Sequence, residues 1–288
     1  MSRATALATA LSALLLSPMA ARAETFHSCR GTIAAVPATI TTQGVWCLDQ
    51  DLGTGLADGV AIDIATNNVT LDCNGFKLGN LAAGAGTATI GVRALGRGNI
   101  TIRGCNVRGF ARAIHLEGGI GGHVVEDNRI DGARKFAITV SGGPATIRRN
   151  RIVDTGGSSV QTDAATAISF EGSVEVLDNV IDGFVVPDGA TEFRPTGIKG
   201  VDEGQSRIER NIVRGMHTAD VLDTAMGIDV YGYGTLVADN ILGGAGSDIG
   251  YGVRCLVGLQ TFVRGNIVSG FSEAIDFECI ADDNVVVP

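Results

Sequence analysis

The sequence has few of the features on which many folds depend for a core or a metal site. Only 5% of its residues are aromatic, so large rings cannot dominate the core. It has no CxxC motif and no cluster of Cys and His, which argues against structural zinc. Its apolar run from Ala4 to Leu16 is too short to span a bilayer. Gly is abundant, with 41 residues, and Ile and Val are frequent, which favours thin layers of strands joined by tight bends.

Residues 1–23 have the pattern of a cleavable signal peptide. Arg3 precedes the apolar run, and Ala21-Arg22-Ala23 supplies small residues for cleavage before Glu24. We therefore expect a secreted or periplasmic protein without a membrane span. Loss of Arg3 and Arg22 takes the net charge from −9 to −11, and a surface this acidic argues against nucleic acid as a partner.

Six cysteines in an exported chain indicate disulfides. The sequence alone permits fifteen pairings, and two free buried thiols are the alternative for any one pair. We select Cys29 with Cys47, Cys73 with Cys105, and Cys255 with Cys279.

One motif recurs along most of the chain: apolar, x, x, Asn, x, apolar, x, Gly. It occurs, for example, at 125–132, 176–183 and 208–215. Cys105 occupies the Asn position in one copy, and Asp154 occupies the Gly position in another. The predicted ladder of stacked asparagines comprises Asn74, Asn128, Asn150, Asn179, Asn211, Asn240, Asn266 and Asn284.

A second motif, a small residue followed by alternating apolar positions, occurs eight times between these copies. Ala113-Ile114-His115 and Gly197-Ile198-Lys199 are two of them. A period of two predicts strands with one buried face. Some repeats span only 22 residues, too few for a strand and a returning helix but enough for three short strands and three bends. Signals for two-residue hairpin turns are missing, as are the leucine or helix signatures of other solenoids.

These repeats predict an all-β, single-stranded parallel β-helix of about eight coils. We expect an N-terminal, disulfide-tied cap over residues 24–60 and the β-helix over residues 61–288. Ladder asparagines would then stack at one bend, about 4.8 Å apart along the axis.

Two N-terminal segments, 37–48 and 68–75, resemble secreted bacterial right-handed parallel β-helix proteins of the pectate-lyase-like superfamily, which carry PbH1 repeats. The resemblance covers nearly all of the mature chain and implies right-handed coils. It does not fix an activity, because similar proteins include pectate lyases, polygalacturonases, alginate-modifying enzymes, tailspikes and adhesins. Alignment of Asn74 with Cys105 also places Cys73 and Cys105 on neighbouring coils, within reach of a disulfide.

The resemblance further implies that the strand with the small-residue motif, expected just before the Asn bend, carries any active site. Outward positions on four consecutive coils are the predicted catalytic residues: Lys199, Asp229, Arg254 and Asp276. The basic residues would hold or deprotonate a uronate, and the acids would act as acid, base or calcium ligands. The alternative is a surface ladder of alternating charges.

Three long loops, at 154–166, 184–196 and 216–226, are expected to wall a groove over Lys199. Glu171, His217 and Tyr231 are the predicted substrate contacts, whereas His115 is expected to be a surface residue.

The sequence thus predicts a protein that binds a polysaccharide and that, in one version of the hypothesis, cleaves or modifies it. Uronate-containing chains are the candidate ligands, and calcium is the candidate cofactor. The paired-Asp and Gly-His-Gly set that resembles polygalacturonases is missing, as is the Asp-Pro-His-Asp motif of alginate epimerases. A non-catalytic structural or adhesive β-helix protein is the main alternative. A copper-site assembly factor is a weaker one, because Met/His clusters are lacking. Oligomeric state and metal identity are left open.

Overall fold

The computed structural model describes residues 29–202, 204–220, 224–244, 249–256 and 260–287, so the predicted signal peptide lies outside the described residues. The strands form three parallel sheets, here called A, B and C. In spatial order, sheet A contains β1 (Gly31–Ile33), β3 (Gly44–Leu48), β6 (Val69–Asp72), β9 (Ile100–Arg103), β12 (His123–Glu126), β15 (Ala145–Arg148), β18 (Val174–Leu177), β21 (Arg207–Glu209), β24 (Leu236–Ala238), β27 (Phe262–Arg264) and β30 (Ile280–Asp282). Sheet B contains β2 (Ala38–Ile40), β5 (Val60–Ile64), β8 (Ile90–Leu95), β11 (Arg112–Glu117), β14 (Phe136–Ser141), β17 (Ala164–Glu171), β20 (Arg194–Asp202), β23 (Thr224–Gly232), β26 (Ile249–Cys255) and β29 (Glu273–Ile275). Sheet C contains β4 (Leu52–Gly53), β7 (Lys77–Gly79), β10 (Asn106–Arg108), β13 (Arg129–Asp131), β16 (Arg151–Gly156), β19 (Val180–Val185), β22 (Ile212–Met216), β25 (Ile241–Gly244), β28 (Ile267–Ser269) and β31 (Val285–Val287).

The chain winds as a right-handed parallel β-solenoid of about nine turns, which confirms the predicted fold. About eight coils were expected. Strands β1 to β4 already belong to the three sheets, so the segment assigned to the cap contributes to the coils. A single turn of 3-10 helix covers Leu81–Ala83. None of the helical structure seen in the described residues is long and apolar enough to cross a membrane.

Each full coil passes through sheets B, A and C in that order. The small-residue motif forms the sheet B strands, and the Asn motif spans the bend from sheet A to sheet C. A short sheet A strand therefore lies between the sheet B strand and the Asn bend, whereas the sequence interpretation placed these two next to each other. The apolar residue that opens each Asn motif, such as Val125, already belongs to this intervening strand.

The core consists of stacked columns of β-branched residues. Ile114, Ile138 and Ile168 are in register on neighbouring sheet B strands and are fully buried. In one column, the size of the side chain changes sharply from one coil to the next. Phe170 pairs in register with Gly200, and a Cβ on Gly200 would lie 2.3 Å from the Phe170 ring. The ring therefore fills the space that the missing side chain leaves, which keeps the packing close.

The predicted asparagine ladder is present from Asn128 to Asn284. Asn179 is typical: its Nδ2 donates to Oδ1 of Asn211 at 3.0 Å, and its own Oδ1 accepts from Nδ2 of Asn150 at 3.0 Å. The residue before each ladder Asn has a positive φ, as at Asp178, so the acidic residues there serve the bend. Asn74 differs, because it is exposed and donates to the Leu48 carbonyl at 2.9 Å instead of stacking on a rung.

All six cysteines are paired as predicted. The Cα separations are 5.8 Å for Cys29–Cys47, 4.6 Å for Cys73–Cys105 and 5.3 Å for Cys255–Cys279. The first two pairs lie near the N-terminal end of the solenoid, and the third ties its last described coils. These disulfides indicate an oxidising compartment.

Candidate functional site

The outward face of sheet B places the predicted side chains in two columns, because every strand pairs in register with the next. Ser169, Lys199, Asp229 and Arg254 are consecutive partners in the first column. Asp276 follows β29 directly, and its amide donates to the Val253 carbonyl at 2.9 Å. The four predicted catalytic residues therefore lie on consecutive coils, as expected.

Asp229 and Arg254 form a two-bond ion pair. Arg254 Nε donates to Oδ1 of Asp229 at 2.8 Å, and its Nη2 donates to Oδ2 at 3.0 Å. Only 4% of the Asp229 side chain is exposed, so this guanidinium is the carboxylate's main compensation for burial. Burial lowers the pKa of Arg254, but the bonds and charge of Asp229 outweigh it and raise that pKa overall. Arg254 therefore stays charged at neutral pH.

Tyr231 lies beside this ion pair and links it to Lys199. Arg254 Nη2 also donates to the Tyr231 hydroxyl, and its Cζ lies 5.6 Å from the ring centroid. The Lys199 ammonium lies over the same ring at 5.6 Å. Burial and the nearby Asp229 charge raise the pKa of Tyr231, so its hydroxyl stays protonated. Lys199 thus packs on the ring, and no ion pair joins it to Asp229 among the described residues.

A cavity of about 240 Å³ opens next to this cluster. Its lining includes Tyr231, Tyr251, Arg254, Asp276 and Phe277, together with Glu278. Phe277 is 84% exposed, and two of the chain's three tyrosines line this one cavity. Asp276 is 8% exposed, and its Oδ1 accepts the Glu278 amide at 3.2 Å, which fixes the turn after β29. We call this the Tyr251 cavity.

A second cavity of about 300 Å³ lies on the same face nearer the N-terminus. Its lining includes His115, Glu117, Ser141, Ser169 and Glu171. His115 is 7% exposed, so the expectation of a surface residue is wrong: the side chain is buried, and its Nε2 contacts Oε2 of Glu117 at 3.0 Å. Burial lowers the pKa of His115, the charge of Arg112 lowers it further, and Glu117 opposes both. The imidazole is therefore neutral at neutral pH.

The three predicted substrate contacts therefore lie in different parts of the structure. Tyr231 joins Lys199, Asp229 and Arg254, whereas Glu171 belongs to the cavity around His115. His217 is exposed in the loop after β22 and lines neither the Tyr251 cavity nor the cavity around His115. The catalytic and substrate-binding roles assigned to these residues stay predictions.

Sequence reasoning missed Tyr251 and Phe277. Tyr251 occupies a third outward column near the start of the sheet B strands, in register with Met226 and Glu273. Extending the columns one step toward the N-terminus of each strand would have found it. Phe277 follows the last sheet B strand, where no repeat remained to guide the alignment.

The first of the three long loops forms a wall, but not over Lys199. Ser158, Val160 and Gln161 line a cavity of about 410 Å³ beside Arg112 and Lys135. In the part of the chain that the structure describes, no group of three or more His, Cys, Asp or Glu side chains could hold a metal ion.

Comparison with known proteins gives a family match over part of the chain. The model of the family described as the right-handed beta helix region matches residues 55–194. Among solved structures, the catalytic domain of a GH87 alpha-1,3-glucanase in complex with nigerose aligns at 9% identity and a TM-score of 0.31, covering 88% of this chain and 60% of that one. A variant of the same domain, also with nigerose, aligns with a TM-score of 0.30 at the same identity and coverage. The chain spans about 60% of the length of these structures. No curated protein matches it.

Proposed function

Because the chain is a right-handed parallel β-helix repeat protein, with one outward sheet face that carries two cavities, we propose that it binds a polysaccharide along sheet B. The observation that carries the proposal is the Tyr251 cavity, which combines three aromatic rings with a cation and two acids. Ligand sites join apolar, often aromatic, surface to a few well-placed polar groups. The rings suit the apolar faces of sugars, and the charged groups suit their hydroxyls.

The distribution of aromatic residues supports the same proposal. Aromatics make up only 5% of the sequence, yet Phe277 is 84% exposed beside Tyr231 and Tyr251. Exposed rings gain no stability from the core, and aromatic residues are enriched at binding surfaces. Successive coils rise about 4.8 Å, so an extended ligand that follows the axis would meet a new set of side chains at each coil.

The proposal is one of binding. Among the acids described on this face, Asp229 is the most deeply buried, and both of its oxygens accept bonds from Arg254. This carboxylate is therefore positioned to hold Arg254 and Tyr231 in place. Three disulfides support a role outside the cytoplasm.

The test is a glycan array followed by calorimetry with the best oligosaccharide, using purified full-length mature protein. We expect Tyr251→Ala and Phe277→Ala each to weaken binding about tenfold, because truncating a central aromatic contact commonly costs more than 1 kcal/mol. Tyr233→Ala is the matched control, since Tyr233 is 59% exposed and does not line the cavity. It should leave affinity within about twofold.

Two results would overturn the proposal. One is the failure of any neutral or acidic glycan to bind, with and without calcium, which would favour a structural or adhesive role. The other is an equal loss of affinity in Tyr233→Ala and Tyr251→Ala. Product analysis on the same bound glycans would also show whether the chain is cleaved.

A further inference from the structure

A third cavity, of about 410 Å³, lies where the chain passes from sheet C into sheet B. Its lining includes Thr87, Ile90, Arg112, Lys135 and Val160, with Ser158 at its wall. This cavity is walled by the loop after β16 and is separate from the Tyr251 cavity. We call it the Lys135 cavity.

Two cations of the Lys135 cavity share a single aromatic ring. The guanidinium carbon of Arg112 lies 5.0 Å from the centroid of Phe136, and the Lys135 ammonium lies 5.3 Å from it. Cation–π contacts hold both side chains in place. Two like charges on one ring nevertheless repel each other, so a negative group between them would gain from both.

Neither cation has an ion-pair partner among the residues that the structure describes. Twelve arginines in the described residues have a carboxylate oxygen within 4.0 Å. Arg112 and Lys135, by contrast, have no such partner within the same described ranges. Asp163 acts on Lys135 only at longer range. In a protein with a net charge of −9, Arg112 and Lys135 thus bring two cations without a carboxylate oxygen within 4.0 Å to one cavity.

The loop that walls the cavity is fixed by its own hydrogen bonds. The buried Ser158 hydroxyl accepts the amides of Val160 and Gln161 at 3.3 and 3.2 Å. The Ser159 amide donates to the Ala85 carbonyl at 3.2 Å, which ties the loop to an earlier coil. The cavity is therefore built before any ligand arrives, so binding costs little ordering of the loop.

We propose that the Lys135 cavity is an oxyanion-binding site, in which Arg112 and Lys135 together hold the sulfate, phosphate or carboxylate group of a ligand. Guanidinium and ammonium groups are the usual partners of such oxygens, through short charge-assisted hydrogen bonds. The apolar edge formed by Ile90 and Val160 would contact whatever carries the anionic group. The proposal does not depend on glycan binding at the Tyr251 cavity.

The test is a titration of the mature protein with sodium sulfate, sodium phosphate and sodium acetate at constant ionic strength, followed by backbone amide NMR. We expect saturable shifts confined to residues 111–112, 135–136 and 158–161. Lys135→Gln and Arg112→Gln should each weaken binding about tenfold, and Lys135→Arg should retain it. Tighter binding of sulfate and phosphate supports a tetrahedral ligand group, and tighter binding of acetate supports a carboxylate.

Two further variants separate a built site from general surface charge. Arg129→Gln removes the same charge from sheet C and should change affinity less than twofold. Val160→Asp adds a negative charge at the rim, where Val160 is 66% exposed, and should weaken binding without disturbing the fold. The proposal is overturned if no anion gives a saturable shift, or if Arg129→Gln weakens binding as much as Lys135→Gln does.

Discussion

Among single residues, Asp229 shows that a repeat can place a charged residue correctly without specifying the partner that its side chain contacts. The alternation of Lys199, Asp229 and Arg254 along one column follows from the repeat. The two bonds from Arg254 to Asp229 depend on side-chain rotamers, which the repeat does not specify. The result combines the two sequence hypotheses: part of the ladder is paired charge, and the same pair orients Tyr231 toward a cavity.

Two buried histidines predict a loss of stability in mild acid. Burial lowers the pKa of both His115 and His123 from the ordinary value of 6.5. The unfolded chain therefore takes up protons first as the pH falls. The contribution of the two neutral histidines to the free energy of unfolding is fully present above about pH 6.5. Below that pH it decreases by at most about 1.4 kcal/mol per pH unit for each histidine. We expect the midpoint temperature of thermal unfolding to decrease as the pH is lowered from 7.5 to 5.

His115→Gln should make that midpoint less dependent on pH, whereas His217→Gln, at an exposed histidine, should not. Scanning calorimetry at four pH values would measure the effect. Carboxylates with a lowered pKa, such as Asp178, have a pKa below the ordinary value of 3.8. Their protonation therefore changes stability only at a pH below this range. A midpoint that stays constant from pH 7.5 to pH 5 in the native sequence would contradict the prediction.

At the scale of elements, the bend between sheets A and C is the most predictable part of the molecule. The ladder could be predicted because every rung repeats the same local chemistry, an Asn that satisfies the backbone of two coils. The first rung shows the limit of this reasoning. Asn74 lies at the register position of the ladder asparagines but itself has a φ of 50°, whereas elsewhere the residue before the Asn has the left-handed conformation, and its side chain bonds the Leu48 carbonyl.

A central rung should be worth far more than a terminal one. Asn179 donates to the Ile147 carbonyl and to Asn211, and it accepts from the backbone and side chain of Asn150. Asn179→Ala would leave several buried groups without partners, at about 1–3 kcal/mol each. We expect a loss of about 3 kcal/mol or more in urea unfolding.

Asn284→Ala is the matched control, because Asn284 accepts from Asn266 but lies at the end of the ladder and is partly exposed. It should cost about 1 kcal/mol. Equal losses for the two variants would mean that the stacked amides do not act as a connected ladder. Amide exchange at Asn150 would report the same difference locally.

For the whole molecule, the fold could be predicted almost completely and the cavities hardly at all. The parallel register follows from spacing, which the chain repeats many times, whereas the expected number of coils was too low by about one and spacing alone permits fifteen disulfide pairings. The cavities depend on residues that occur once, such as Phe277 beyond the last sheet B strand and Val160 in a long loop. No periodic signal marks such positions.

The disulfides should stabilise the ends of the molecule without affecting its middle. Cys255 and Cys279 enclose a sequence separation of 24 residues, and such a crosslink typically contributes about 2–4 kcal/mol. Because each coil contacts mainly its neighbours, we expect the Cys255→Ser/Cys279→Ser variant to exchange amide hydrogens faster over residues 249–287 only.

Hydrogen exchange with mass spectrometry would test this prediction, with the Cys29→Ser/Cys47→Ser variant as the control for the opposite end. That control should affect residues 29–72 instead. Equal acceleration in every coil would show that the solenoid unfolds as one cooperative unit.

The in-register pairing of sheet B also governs how this surface can change by insertion or loss of sequence. An insertion of one whole repeat after Asn211, between two ladder asparagines, would leave the hydrogen-bonded rows able to rejoin and both cavity linings intact. The cavities around His115 and Tyr251 would then move apart by one rise of about 4.8 Å. The distance between the two cavities can therefore change only in steps of one coil. Variants that differ by one repeat would accommodate ligands of different length.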